Sequence, residues 1–382
     1  MFFVQRRLAV VAEVLSCVTI PNMVRPSTLL LLLLSATPLT GQSVRGRLSG
    51  TEPGSTAGAI VILLDSTGVE VARALSSPIG SYILTARSNG RYSLKVLRVG
   101  FAAWVSAPMS LESGHPVDLS LVLPDEPLVL AELNVESGNA CRNTAEEGGA
   151  AATLLEEIGK AVGSAELALK DRELRFQVRK FARRTDLQNA VQQSDSAFTQ
   201  INTWPVHSLS PLRLRDHGFI QTREQVDPEL VEASGPQGLV WFGPDAATLF
   251  SAPFIGTHCF RARAVPNDTT RVRLVFTVIR GRRTPDIEGE LWLDRRTLAL
   301  EKLEFHYVNV PSGLPRQGPG GRMEFARLPN GIWLVSHWSL RAPIQRYRNN
   351  LPDGIAGWSE EGGDIIEIKG AQGAVVYSGH PQ

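Results

Sequence analysis

The chain has 382 residues, which at about 150 residues per domain predicts two or three folded domains. Its 43% apolar and 20% charged content is typical of a folded globular protein and excludes disorder as the main state. The 39 basic and 38 acidic side chains leave a net charge of +1. No chain-wide basic field is therefore available for nucleic acid, and no nucleic-acid partner is predicted.

The first 42 residues have the pattern of a leader. Arg25 precedes the apolar run Leu29–Leu34, and small and polar residues follow as far as Gln42. The run is shorter than the about 20 residues of a membrane-spanning helix, and the pattern matches a secretory signal peptide. We therefore expect an exported protein, periplasmic or associated with the outer membrane. The true start of the chain is expected at Met23, and a cleaved leader and an uncleaved anchor both stay open.

Removal of this leader leaves two cysteines, Cys141 and Cys259. In an oxidising compartment such a pair is more often bridged than free, so we predict a disulfide between them. A link across so long a loop is expected to stabilise the fold by roughly 4 to 5 kcal/mol, less any strain. The alternatives are two unrelated buried thiols, or a metal site shared with His258.

Residues 43–135 are predicted to form an antiparallel β-sandwich. Short runs of β-favouring residues are separated by Gly, Pro, Asn and Ser every 8 to 12 positions, roughly the spacing of such a fold. The firmest hairpin has its turn at Ser88-Asn89-Gly90, followed by alternating side chains from Arg91 to Val96. The predicted strands are 44–48, 58–64, 69–75, 81–86, 91–99, 102–106 and 117–123.

The glycine pattern of this region resembles a known family. The segments that carry the likeness are Val44-x-Gly46, Gly58-Ala59-x-Val61, Gly80-Ser-Tyr82 and Gly90-Arg-Tyr-Ser-Leu94. They look like the carboxypeptidase regulatory-like domain, a transthyretin-like, seven-stranded β-sandwich. This resemblance implies export and no peptidase chemistry, because the module itself carries none.

Residues 136–382 are predicted to form an α+β domain with one long helix against a curved antiparallel meander. Leu154, Ile158 and Leu167 recur at helical spacing, which predicts a helix from Ala150 to Arg172. Gly159 and Gly163 weaken that pattern, so a kink or break is expected there. The strands predicted after the helix are 174–183, 219–225, 238–242, 260–265, 271–279, 288–294, 298–308, 321–327, 332–341, 364–369 and 374–378.

Alternation along residues 299–309 predicts a half-buried strand. Leu303, Phe305 and Tyr307 fall on one face, and Lys302, Glu304 and His306 fall on the other. A helix followed by a broad meander resembles in layout the half-barrel of lipoprotein-localisation factors.

Two segments, with Cys141-Arg142, carry a second resemblance. Thr257-His-Cys-Phe-Arg261 and Pro285-Asp-Ile-x-Gly289-x-Leu-Trp-Leu-Asp294 look like a family of exported bacterial proteins in which a carboxypeptidase regulatory-like domain precedes a β-rich domain. The resemblance implies an architecture and no activity.

Two common catalytic patterns are missing from the sequence. A zinc carboxypeptidase needs a His with a nearby Glu and a second His, and that Glu does not follow His115, His207, His258, His306 or His337. A serine hydrolase needs Gly-x-Ser-x-Gly, and Gly54-Ser-Thr-Ala-Gly58 has Thr at its centre. The sequence therefore predicts a non-enzymatic protein with no catalytic, cofactor or metal site.

Aromatic residues are spread along the second domain. On a curved sheet they would line a groove for an apolar or extended ligand, and the alternative is that they form the core under the helix. The candidate residues are Trp204, Trp241, Phe242, Trp292, Phe305, Tyr307, Trp333 and Trp338.

These observations predict an exported cell-envelope protein that acts as a binding or docking module. Its expected partner is an envelope protein or an apolar, extended ligand, and it is expected near a membrane without spanning one after leader removal. The alternatives are a structural scaffold of an outer-membrane assembly and a carbohydrate-binding envelope protein.

The predicted disulfide has a direct test. Non-reducing peptide mapping of the exported chain should recover one cross-linked peptide that contains Cys141 and Cys259, and reduction with alkylation should release both halves. Two alkylated cysteines without prior reduction would contradict the pairing.

Overall fold

The computed structural model describes residues 42–50, 56–124, 126–128, 130, 149–171, 174–201, 208–226, 238–349, 351–370 and 373–379. The leader region 1–42 lies outside the described residues except for Gln42. The predicted domain boundary at 135/136 also lies outside them, as do Cys141 and Trp204.

The first unit, here called the sandwich, is built from two facing sheets. One sheet has the order β4-β1-β8 with β9 also paired to β1, and the other has the order β3-β2-β5-β6 with β7 also paired to β5. The structure has nine strands here rather than the expected seven. The predicted strand 117–123 is divided into β8 and β9, and β7 was not predicted. The predicted hairpin at Ser88-Asn89-Gly90 is wrong, because β4 and β5 belong to different sheets. The strands are β1 (Gln42–Ser49), β2 (Ile60–Asp65), β3 (Glu70–Leu75), β4 (Ser81–Ala86), β5 (Gly90–Leu97), β6 (Trp104–Val105), β7 (Met109–Leu111), β8 (Val117–Asp118) and β9 (Leu121–Val122).

Strand β2 is buried on both of its faces. Val61 and Leu63 point into the core between the two sheets of the sandwich. Ile60 and Ile62, on the opposite face, belong to the core of the second unit. An unbroken apolar run fits a strand that has protein on both sides, which explains why β2 lacks the alternation of its neighbours. The sandwich therefore contributes an outer face, as well as an inner one, to the buried core.

Helix α1 (Ala150–Asp171) covers that outer face. It contacts β2 and β3 on one side and strands of the second unit on the other, so it lies between two sheets. The helix runs without a break through Gly159 and Gly163. A Cβ at Gly163 would meet the side chain of Ile60 at 3.3 Å. Close packing on β2 thus offsets the weak helix propensity of this glycine.

The second unit, here called the sheet unit, is a ten-stranded antiparallel sheet. Its order is β11-β10-β20-β19-β18-β17-β16-β15-β14, with β21 paired to β20. From β14 to β20 each strand pairs with the next one in sequence, which confirms the predicted meander. The strands are β10 (Arg175–Asp186), β11 (Val191–Ile201), β14 (His258–Val265), β15 (Asp268–Val278), β16 (Asp286–Asp294), β17 (Leu300–Val308), β18 (Gly320–Arg327), β19 (Trp333–Arg348), β20 (Leu351–Lys369) and β21 (Val375–Ser378).

Smaller elements cover one end of this sheet. They are helices α2 (Pro211–His217), α3 (Ala246–Leu249) and α4 (Ala252–Ile255), the 3-10 turn Arg223–Gln225, and the two-stranded ribbon β12 (Ile220–Thr222) and β13 (Leu239–Trp241). The fold is mainly β, with a β-sandwich followed by an α+β unit, as the sequence predicted.

The predicted alternation in β17 is confirmed. Leu303, Phe305 and Tyr307 are buried, whereas Lys302 and Glu304 are partly accessible on the opposite face. The buried face joins a cluster that continues through α1 to Ile60 and Ile62 of the sandwich.

Backbone atoms of the two units are also in close contact at two glycines. Gly331, in the turn between β18 and β19, has φ +83°, and a Cβ there would overlap the carbonyl oxygen of Ala57. Gly100, after β5, has the same φ, and its Cβ would lie 2.6 Å from the carbonyl oxygen of Thr297. Only glycine combines this conformation with so close an approach.

This backbone contact gives a matched pair of variants. Gly68 has φ +82° and open space around its Cβ position. Both Gly331→Ala and Gly68→Ala should lose about 1 to 2 kcal/mol from the left-handed conformation. Gly331→Ala should lose roughly 1 to 3 kcal/mol more, because its methyl group pushes on Ala57. Urea unfolding measures both, and equal losses would contradict the close approach.

Candidate functional site

A buried ion pair on α1 holds a turn of the sandwich. The Gly100 N–H donates to Oε2 of Glu157 at 2.6 Å, and Nζ of Lys160 donates to the carbonyl oxygen of Phe101 at 2.9 Å. Lys160 also donates to Oε1 of Glu157. The side chains of Glu157 and Lys160 are only 1% and 4% exposed. One helix face thus binds backbone groups of two consecutive residues of the sandwich.

This arrangement, here called the latch, places the charges of Glu157 and Lys160 in a buried interface. Loss of hydration raises the pKa of the Glu157 carboxyl, although Lys160 and the Gly100 N–H act in the opposite direction. A buried ion pair adds little net stability over an apolar pair, but loss of one partner leaves an uncompensated charge. The latch therefore enforces one docking geometry of the two units more than it adds to stability.

Arg98 supports the same turn from the sandwich side. Its side chain is 8% exposed, it donates to the carbonyl oxygen of Pro124, and its guanidinium lies 3.9 Å from the centre of the Phe101 ring. The turn is thus held both by its own unit and by α1.

Beside the latch lies a cavity of about 440 Å³, here called the cleft, which both units line. Its charged lining residues are all basic: Arg98, Lys160, Arg296 and Arg327. No Asp or Glu is among the residues that line it in the described part of the chain. The remaining lining residues are Ala57, Gly58, Ala59, Ile60, Leu97, Val99, Gly100, Phe101, Pro127, Ser164, Thr297, Ala299, Gly331 and Trp333.

A second cavity, here called the apolar cavity, lies between α1 and the sheet and has a volume of about 130 Å³. Trp333 lines both this cavity and the cleft. Of its two acidic lining residues, Asp245 accepts backbone N–H groups of Ser208 and Thr248 at 2.9 and 2.8 Å. The lining residues are Ala161, Val162, Ala165, Glu166, Asp245, Ala246, Ala247, Leu249, Phe250, Leu300, Met323, Phe325, Trp333, Leu334 and Val335.

The prediction that aromatic residues line an open groove is wrong for five of them, because their side chains are buried in the core. Trp241, Phe242, Phe305, Tyr307 and Trp338 are at most 6% exposed and pack in the core, so they do not line an open groove. The rings of Trp241 and Tyr307 meet edge to face at 4.8 Å, and the Tyr307 hydroxyl donates to the carbonyl oxygen of Phe242 at 2.9 Å. Burial raises the pKa of Tyr307 well above its ordinary value.

Two other predicted groove residues lie apart from this cluster. Trp292 is on the opposite, wetter face of the sheet, with Lys302 4.2 Å and Arg273 5.4 Å from its ring centre. Trp333 alone of the predicted set lines a cavity. Trp204 lies outside the described residues.

The sheet also contains two polar clusters that the sequence did not predict. Asp286 is fully buried, accepts from Arg282 and lies 3.3 Å from Nε2 of His258. That His258 nitrogen is also 3.0 Å from the carbonyl oxygen of Ile287.

The second cluster is centred on Asp364. One of its oxygens lies 2.7 Å from Nδ1 of His337, and the other accepts from Arg179 at 2.7 Å. These three residues occupy adjacent strands β19, β20 and β10 on one face of the sheet. In both clusters the carboxylate is occupied by protein partners, and among the described residues no group of His, Cys, Asp and Glu could hold a metal ion.

Cys259 is disulfide-bonded. It is the one cysteine among the described residues, so its partner lies in the rest of the chain. A disulfide at Cys259 agrees with the predicted oxidising compartment and argues against the alternative of a metal site shared with His258. The pairing with Cys141 stays a prediction.

The charged residues of the cleft were missed because they come from four separate segments of the chain. Glu157 and Lys160 lie between the apolar positions of the predicted helix, and nothing in the sequence indicates that they are buried. Arg296 lies in a predicted turn and Arg327 ends a predicted strand, so no local pattern groups them. The continuous apolar run of β2 is typical of a strand that is buried on both faces. It is the sequence signal from which the position of α1 between two sheets could have been predicted.

Neither a known protein family nor a curated protein matches the sequence, so the carboxypeptidase regulatory-like resemblance is not confirmed. Among solved structures, a DUF1329 family protein from Desulfovibrio piger shares 9% identity at a TM-score of 0.26, over 58% of this chain and 92% of that one. The minor pilin GBS52 of Streptococcus agalactiae shares 14% identity at 0.19, over 25% and 49%. The Bacillus anthracis TIE protein shares 14% at 0.19, over 42% and 26%.

The chain thus spans about half of the pilin and a quarter of the TIE protein. Similarities this low carry no conclusion about function. Among the helices of the described residues, none is long and apolar enough to cross a membrane.

The latch is tested by a double-mutant cycle. Glu157→Gln and Lys160→Met should each lose about 3 to 5 kcal/mol, because each leaves the other charge buried and alone. The double variant should lose much less than the sum of the two. The exposed pair Arg45–Asp118 is the control and should show little coupling. Additive losses at Glu157 and Lys160 in urea unfolding would contradict the latch.

Proposed function

We propose that the protein is an exported, non-enzymatic binding protein of the bacterial cell envelope, and that its apolar cavity receives an apolar group of a ligand. The observation that carries this proposal is the cavity of about 130 Å³ between α1 and the sheet. Most of its lining is apolar, and it is partly open to solvent at Glu166 and Ala247, so a ligand group can reach it.

The lining explains why this cavity favours an apolar occupant. Ala161 and Ala165 face it from α1, and Phe250 and Met323 face it from other elements. Small helix residues leave space here that a larger side chain would fill. An apolar group that enters this cavity leaves water and gains dispersion contacts with its lining.

The leader supports export, and the disulfide at Cys259 supports an oxidising compartment. Periplasmic and outer-membrane-associated residence both fit these features. A scaffold without a ligand would have no use for the cavity, which is why binding is preferred to a purely structural role. The expected partner is an apolar molecule or the apolar part of a larger one.

The proposal is tested on the exported chain as purified. Native mass spectrometry should detect a retained small molecule, or, after organic extraction, saturable binding of added 1-octanol. Tryptophan fluorescence gives the titration, since Trp333 lines the cavity.

Two alanine variants on α1 locate the binding. Ala165→Leu fills the cavity and should weaken octanol binding about tenfold or more. Ala152→Leu makes the same change on the same helix away from the cavity and should leave binding unchanged. Thermal unfolding confirms that both variants are folded. Equal octanol binding by both variants, or no binding by the unaltered chain, would contradict the proposal.

A further inference from the structure

The cleft between the two units has an unusual charge balance. Its charged lining residues are four cations, and no carboxylate of the described residues faces it. Lys160 is neutralised by Glu157, and Arg296 interacts electrostatically with Asp294. Arg98 is bound within the sandwich, where it donates to the carbonyl oxygen of Pro124 and lies over the Phe101 ring. Arg327 is the remaining cation of the cleft.

Arg327 is the cation with the least compensation. It stands at the end of β18, and no ion pair or hydrogen bond of its side chain occurs among the described residues. Arg327 is exposed to solvent, but partial loss of hydration still lowers the pKa of its guanidinium, with no carboxylate to offset that effect. A cation in this state gains from an anion that enters the cleft.

The donors in the cleft also select the type of anion. The Ser164 hydroxyl already donates to the carbonyl oxygen of Ala161 at 2.7 Å, and the Thr297 hydroxyl donates to Asp294 at 2.8 Å. These hydroxyls are therefore engaged, and the charged donors of Arg327 are the guanidinium N–H groups. Their planar fork matches the oxygens of a phosphate or a carboxylate.

The position of the cleft connects it to the apolar cavity. Trp333 forms part of the wall of both, and neighbours on α1 divide between them, with Lys160 and Ser164 in the cleft and Ala161 and Ala165 in the cavity. We infer that the cleft is an anion site for the phosphate or carboxylate group of an amphiphile whose apolar part enters the cavity. The second half of this inference rests on the proposed function, whereas the anion site stands on the cleft alone.

Three probes separate the two halves: inorganic phosphate, octyl phosphate and 1-octanol. Each is titrated calorimetrically into the unaltered chain and into Arg327→Gln. The matched control is Arg295→Gln, an exposed turn arginine that does not line the cleft. Octyl phosphate should bind at least tenfold more tightly than octanol. Arg327→Gln should remove most of that advantage, whereas Arg295→Gln should keep it and octanol binding should stay unchanged.

Each remaining outcome has a defined meaning. If phosphate binding depends on Arg327 and the octyl chain adds no affinity, the cleft is an anion site for a free anion. The inference that the ligand is an amphiphile is then rejected. If octanol fails to bind but phosphate binding still depends on Arg327, the proposed function is contradicted and the anion site is supported. Octyl phosphate that binds no better than octanol, or equal losses in Arg327→Gln and Arg295→Gln, overturns the inference. Thermal unfolding of both variants confirms the fold.

Discussion

The ion pair of Glu157 and Lys160 is the interaction on which the geometry of this protein depends. Apolar packing of α1 on β2 brings the two units together, but such packing is tolerant of small shifts. The ion pair does not tolerate such shifts, because both side chains are buried and each binds one backbone group of the same turn. A shifted docking would leave two charges and two backbone groups without partners, at a cost of several kcal/mol. The latch therefore selects one relative position.

The cleft follows from that position. Its walls come from the turn after β5, from α1, and from turns of the sheet unit, so neither unit contains it alone. Backbone contacts at Gly100 and Gly331 keep these turns in place, because side chains there would force the units apart. Sites between domains commonly use residues from both sides in this way. The proposed ligand site is thus a property of the docked pair.

The sequence predicted the elements whose burial follows a simple period. The alternation in β17 and the helical spacing of α1 were both confirmed, because each element has one face in the core. The predictions were wrong where glycine had another role. Strand β20 begins at Leu351, well before its predicted start at residue 364, and its Gly362 and Gly363 pack beneath the rings of Phe181 and Trp338 instead of forming a turn. Strand β11 was missed because its polar, exposed sequence has no apolar face.

The candidate site was less predictable than the fold. The large aromatic residues left two interpretations open, a groove or the core, and most of those described fill the core. Trp333 lines both cavities. The cleft is formed by isolated cations on distant segments, and no local pattern distinguishes such residues from solvated surface arginines. Their grouping becomes visible only when the docking of the two units is known.

Differential scanning calorimetry of the purified full chain tests this account most directly. If the latch and the shared core make one cooperative unit, heating should give a single transition whose calorimetric and van't Hoff enthalpies agree. Two resolved transitions, one for the sandwich and one for the sheet unit, would contradict the account, because the cleft would then lie between independently folding parts.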